Sequence, residues 1–327
     1  MAPVKPKLTT TPPQVKAPPP SPPPAPPKAD PPKADANPVA NDKFADPVKT
    51  PDGAGQAQPQ KYDVSDDAAL AKLKLSKKPD DKQMAMEIEN ARKSYAPLLK
   101  GGAKIYINRP PGNSGAPVLT MVPKALVDNP NQKFNTVVHY GGMHGTAANP
   151  DPAADSNKKI GAAINGTPPT VYILPEAKSP VKDPGRKLHQ PGDYDPDWSV
   201  AKEPRSTADD CLKAAGLKPT GGANKLTVSA HSAGGRAVVN AINNGKLDCD
   251  QLVLQDSLYQ FKPPPAQTVL DWAKTPAAAN TKEIDYVHAD GGNGDQGKMP
   301  KGLQLPNGIK FQRIEKPHHY DADFVVP

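Results

Sequence analysis

A serine set between small residues, where an apolar run gives way to a helical pattern, is the position in this chain best suited to covalent chemistry. The stretch runs Lys225-Leu-Thr-Val-Ser-Ala-His-Ser-Ala-Gly-Gly-Arg-Ala-Val-Val-Asn240. Its apolar run ends in Ala230-His231-Ser232-Ala233-Gly234 and passes at once into helical periodicity. A backbone that turns from strand to helix within a few residues strains the residue at the turn, and the positions two before and two after must be small to avoid collision. Here they are Ala230 and Gly234, and Gly235 adds room for close helix packing. A hydroxyl so placed lies at a helix N-terminus, where backbone dipoles favour a developing negative charge, which suits Ser232 to nucleophilic attack. In isolation Ser-Ala-Gly-Gly reads as an ordinary tight turn; the strand before it and the helix after it single it out.

Acyl transfer also needs two backbone N–H groups aimed at the tetrahedral oxyanion. Val137-Val-His-Tyr-Gly-Gly-Met-His-Gly145 is an apolar run opening into a Gly-rich loop, and its glycines permit inward-turned N–H groups, although a plain tight turn uses the same letters. Together the two stretches resemble the nucleophile elbow and the HGG-type loop of the α/β-hydrolase superfamily. The commonest elbow has glycine at both small positions, so Ala230 is a departure that keeps the steric rule. The resemblance implies Ala233 as one oxyanion donor and Gly142 or Met143 as the other. His144, His231 and Tyr259 are candidates for substrate contact.

In that superfamily the triad runs Ser, Asp, His along the chain. After Ser232 come only His288, His318 and His319. His288 alternates with Tyr286 inside an expected strand and reads as structural. The resemblance expects the base after the last strand, at His318 or His319. We favour His318, because its His-x-Tyr-Asp context is similar to the His-x-aromatic ending of several hydrolases of this fold, and His319 is then a neighbour or a substrate contact. The acid is Asp256, after the sixth strand, or Asp290, after the seventh. Asp256 is favoured, since Leu254-Gln-Asp-Ser-Leu-Tyr259 with Trp272 downstream resembles an organised pocket edge, whereas Asp290 opens the Gly291–Gly294 loop; Asp295 comes third.

These groups need a scaffold, and the chain supplies a rhythm of short apolar or β-branched runs: 104–108, 117–122, 134–139, 170–174, 226–230, 252–254, 284–287 and 309–314. After the third run, helical stretches intervene at 157–164, 207–215, 236–243 and 268–274, and an amphipathic helix over 82–100 precedes the first. Alternation of this kind implies an α/β fold: one doubly wound, mostly parallel eight-stranded sheet with helices on both faces, its first two strands forming a hairpin. Ligands of such sheets sit beyond the carboxyl ends of the strands. The long link from Pro175 to Ser206 reads as a rim loop, and the short stretch from Tyr259 to Gln267 leaves no room for a large cap domain, so an open cleft admitting bulky or polymeric substrates is expected.

Composition bounds the rest. Of 44 prolines in 327 residues, 18 fall within the first 60. With few large apolar residues to bury, 1–60 is expected to be a disordered Pro-rich arm of polyproline II or coil, and 61–327 the catalytic domain. The arm is a spacer or, through its PxxP letters, a ligand for a proline-reading partner. Net charge is +7, spread without a basic face, which argues against specific nucleic-acid binding. No run of about 18 apolar residues occurs, so no transmembrane segment is expected. Residues 1–10 run into prolines instead of an apolar core, so a cleaved secretory signal is not expected, and localisation stays open. Histidine and cysteine spacings match no metal motif and no Gly-rich stretch matches a phosphate loop, so no cofactor is expected. Whether Cys211 and Cys249 pair is not legible. The resemblance implies a cofactor-independent serine hydrolase of the esterase or lipase kind. An amidase or peptidase shares the same triad, and a noncatalytic binding module on the same fold is the alternative of a different class.

Overall fold

Short β-branched runs that alternate with amphipathic stretches can bury both faces only as a sheet between helical layers. The computed structural model describes residues 60–109, 118–141, 164–175, 203–218, 225–258, 265–289 and 299–316, and among them the runs form one sheet. Its strands are β1 (Gln60–Asp63), β2 (Lys104–Arg109), β3 (Val118–Val122), β4 (Asn135–Tyr140), β5 (Thr170–Pro175), β6 (Leu226–His231), β7 (Gln251–Gln255), β8 (Glu283–Ala289) and β9 (Lys310–Lys316). Side by side they stand in the order β1-β2-β3-β5-β4-β6-β7-β8-β9. The pairs β1–β2, β2–β3 and β3–β5 are antiparallel, and every pair from β5 to β9 is parallel.

The eight expected strands and the hairpin are present, but the sheet has nine strands, not eight. The extra strand, β1, comes from Gln-Lys-Tyr-Asp, which lacks the apolar alternation that signals a strand. Tertiary pairing supplies what the sequence lacks, setting Tyr62 opposite Ile107 at the sheet edge. Residues 1–59 of the expected arm lie outside the described residues, as do 157–163 of one expected helix and 176–202 of the expected rim loop.

The helices are α1 (Asp67–Leu75), α2 (Pro79–Ser94), α3 (Ala96–Lys100), α4 (Lys124–Asp128), α5 (Pro204–Ala214), α6 (Gly235–Asn243) and α7 (Pro265–Ala273). Helix α1 is capped by Asp66, whose carboxylate accepts from the Ala69 amide at 2.9 Å. The single helix expected over 82–100 is two. Pro97 has no amide proton and its ring would meet the carbonyl four residues back, so α2 stops at Ser94, Tyr95 leaves helical geometry, and α3 restarts with the proline in its first turn.

Period-two alternation sorts the sheet side chains into two cores. On one face Ile105, Met121, Val137 and Tyr172 share a cluster with Met84, Ile88 and Leu98 of α2 and α3. On the other Val138, Ile173, Val228 and Leu254 share a cluster with Leu212, Val238 and Val269 of α5, α6 and α7. Each fully buried aliphatic chain of this kind contributes roughly 1.5–3 kcal/mol. Cys211 and Cys249 are buried in the second cluster and form no disulfide with each other, and burial pushes the Cys249 thiol up to about 12. No described helix is long and apolar enough to cross a membrane.

Beyond Val137 the first face turns polar while staying buried. His139 Nδ1 lies 3.0 Å from Ser229 Oγ, Thr227 Oγ1 donates to Gln251 Oε1 at 3.2 Å, and Gln251 Nε2 donates to Asp285 Oδ2 at 2.5 Å. The other oxygen of Asp285 is buried without a hydrogen-bond partner. Burial, with the charge of Glu283 adding to it, holds the Asp285 carboxyl above its ordinary range despite the Gln251 donor. The folded state therefore grips this proton more tightly than the unfolded chain. Stability is lost as pH rises from the unfolded value through the raised one, and the loss is complete above it. Asp285→Asn should raise the melting midpoint by roughly 2–4 °C at pH 7, with the gain gone below about pH 4, as thermal unfolding across that range would show.

Candidate active site

The carboxyl end of β6 runs into a single 3-10 turn, Ser232–Gly234, and then directly into α6. Ser232 sits in this turn with φ at +50° and is buried. Left-handed backbone costs an L-residue roughly 1–2 kcal/mol and persists only where the surroundings over-determine it. The surroundings here are backbone. A Cβ on Gly234 would stand 2.1 Å from the Tyr140 carbonyl oxygen at the end of β4, and one on Gly235 would stand 1.8 Å from the Ser257 carbonyl oxygen beyond β7. Two glycines thus let the turn press against both neighbouring strand ends. The same contact brings it against Tyr140 and Gly141, where the Gly-rich loop begins.

Among the described non-glycine residues only one other has left-handed backbone: Asp256, with φ at +41°. It follows β7, is 5 % exposed, and its amide donates to the Val287 carbonyl of β8 at 2.7 Å. Register links the two strained residues. His231 pairs with Gln255, Gln255 with Val287, and Val287 with Ile314. One residue further, Ser232, Asp256, His288 and Glu315 follow one another across the carboxyl ends of four adjacent strands. A hydroxyl and a buried carboxylate on neighbouring strand ends are two of the three groups that acyl transfer by an activated serine requires.

Of the other expected site residues, Ala233 lies in the 3-10 turn between Ser232 and Gly234. His231 ends β6, buried, on the sheet face of Ser229. Trp272 is buried on α7. His318, His319, Asp290, Gly142, Met143, His144 and Tyr259 lie outside the described residues. Among the described residues no three His, Cys, Asp or Glu side chains converge as metal ligands.

His288, read from the sequence as structural, is 8 % exposed and stands in this row beside Asp256. Tyr286, named in the sequence only as alternating with His288, was given no place in the site. The only signal for it was the Tyr286-x-His288 alternation, which puts both rings on one face. Burial, and after it the nearby charge of Asp256, pushes the Tyr286 phenol up to about 12.

No family model matches the chain, and no curated protein matches it in sequence. Its structural neighbours are α/β serine hydrolases and esterases. An S-formylglutathione hydrolase from Agrobacterium tumefaciens is 14% identical with a TM-score of 0.41, over 67% of this chain and 89% of that one. A ferulic acid esterase is 13% identical with a TM-score of 0.39, over 64% and 88%. Acetyl xylan esterase 1 from Thermoanaerobacterium sp. is 11% identical with a TM-score of 0.36, over 71% and 87%. From β2 onward the sheet has an antiparallel second strand, an exchange of the next two, and parallel strands thereafter, with a strained serine between strand and helix at its centre. That order and that turn make this an α/β-hydrolase fold.

Proposed function

We propose that the protein is a serine hydrolase that cleaves a carboxylic ester through an acyl-enzyme. The observation that carries this reading is the left-handed Ser232, wedged by Gly234 and Gly235 between the ends of β4 and β7 and one strand from the left-handed Asp256. Strain held in place by close backbone contacts is a mark of a functional turn. In the proposed reaction Ser232 Oγ attacks the carbonyl carbon as the imidazole of His318, or of His319, accepts its proton. The oxyanion is met by the Ala233 amide and by that of Gly142 or Met143. The imidazole then protonates the departing alkoxide, and water, activated by the same ring, releases the acid and restores the hydroxyl. Asp256, or Asp290 in its place, orients the ring and stabilises its charged form. Positioned acid–base assistance typically supplies 10²- to 10⁴-fold, and each oxyanion donor about 10²- to 10³-fold.

A fluorophosphonate probe tests the class without knowledge of the substrate. Covalent labelling that disappears in Ser232→Ala is expected; a folded wild-type protein left unlabelled would point to a binding module. Initial rates on p-nitrophenyl esters of graded chain length, set against p-nitroanilides, then separate ester from amide cleavage, and faster ester turnover is expected.

A further inference from the structure

The carboxyl row does not stop at Asp256. Tyr286 and His288 project from the same face of β8, with ring centroids 6.1 Å apart and the phenol oxygen 3.5 Å from His288 Nδ1. Asp256 is fastened to the residue between them, its backbone N–H donating a hydrogen bond to the Val287 carbonyl. On the far side, β9 sets Arg313 opposite Tyr286 and Glu315 opposite His288. Arg313 Nε is 2.9 Å from Glu315 Oε1, its Nη1 donates to the Met299 carbonyl at 2.7 Å, and Lys301 Nζ is 3.2 Å from the same glutamate oxygen. The residues that α6 and α7 bury toward this face, such as Ala237, Val238, Val269 and Trp272, carry no titratable group.

A buried tyrosine hydroxyl needs an acceptor. Burial and the Asp256 charge favour the protonated Tyr286 phenol, which leaves it a proton to donate to Nδ1 of His288. An imidazole that accepts at Nδ1 carries its proton on Nε2 and has that proton to offer elsewhere. The row thus runs from the Asp256 carboxyl through the Tyr286–His288 pair to Glu315, which Arg313 and Lys301 back.

We propose that Tyr286 and His288 are a positioning pair for Asp256, the phenol fixing the imidazole tautomer and the imidazole, backed by β9, holding the carboxylate in line for the catalytic base. The inference rests on the serine-hydrolase reading with Asp256 as its acid. Because the pair acts through Asp256, its effects must vanish when Asp256 is neutralised.

The test uses the full chain and the rate of fluorophosphonate labelling as a function of pH, in Tyr286→Phe, His288→Gln, Asp256→Asn and the two doubles with Asp256→Asn. Tyr286→Phe and His288→Gln should each slow labelling roughly tenfold. Both should also move the acidic limb of the profile upward, since a buried carboxylate that loses a donor keeps its proton to higher pH. In the Asp256→Asn background neither should slow it further. Tyr286→Phe removes one oxygen atom and preserves packing, so it remains informative if His288→Gln fails to fold. A lowered melting midpoint with rate and profile unchanged would show a purely structural pair and overturn the proposal. Effects that multiply with Asp256→Asn overturn it as well. Wild-type labelling that depends on Ser232 but is insensitive to Asp256→Asn overturns the pair while leaving the hydrolase reading intact; labelling that persists in Ser232→Ala removes both.

Discussion

Ser232→Ala is expected to lower turnover of any substrate the protein hydrolyses by roughly 10⁴- to 10⁶-fold, with the melting midpoint almost unchanged. The size follows from the unity of the machinery. Once the nucleophile is gone, base and acid have nothing to activate, and only the oxyanion donors and binding remain. Stability should hold because alanine is an L-residue too and inherits the backbone conformation at +50° with the same strain. Ser232→Gly separates the two effects. It should be as inactive as alanine yet more stable by about 1 kcal/mol, since glycine adopts left-handed backbone without a Cβ penalty. Steady-state assays paired with thermal unfolding of the three proteins check both parts. A glycine variant no more stable than the alanine variant would mean that the turn stores no strain.

Gly235→Ala should be the most damaging glycine-to-alanine change among the described residues. The added carbon would lie 1.8 Å from the Ser257 carbonyl oxygen, 2.8 Å from its carbonyl carbon and 3.0 Å from its Cβ, so the obstacle is mainly backbone with no rotamer to change. Either α6 must lift from the sheet or the Asp256–Ser257 turn must retreat. Overpacking of this severity costs about 3 kcal/mol or more. Both routes also pull Ser232 away from Asp256, and a shift of about 1 Å in reacting groups costs on the order of 10²-fold in rate. A large drop in melting midpoint and loss of fluorophosphonate labelling are expected together. Gly216→Ala makes a useful contrast: its φ is +79° but nothing stands within 4 Å of the added carbon, so it should lose modest stability and retain full labelling.

These expectations separate what was legible in the letters from what was not. The elbow was legible because its requirement is local: a strand, a turn with small residues two before and two after, and a helix, all within sixteen consecutive residues. The eight apolar strands were legible for the same reason, since period and β-branching are properties of short segments. The division of α2 from α3 was also local, written in Pro97, yet the apolar spacing on either side of it pointed to one continuous helix. Strand β1 was not legible, because Gln60–Asp63 becomes a strand through its partner on β2 and not through its own composition.

What the sequence by itself determined is the place of Ser232 between an apolar strand and an amphipathic helix, because both periodicities and the small residues Ala230 and Gly234 lie within one short window. Tertiary structure alone decided what stands next to it. Gly234 against Tyr140, Gly235 against Ser257, and Asp256 in left-handed backbone beside Tyr286 and His288 bring together residues far apart in the chain. Such neighbours are fixed by sheet order and register, which depend on how every strand pairs at once, and no window of consecutive residues contains that information.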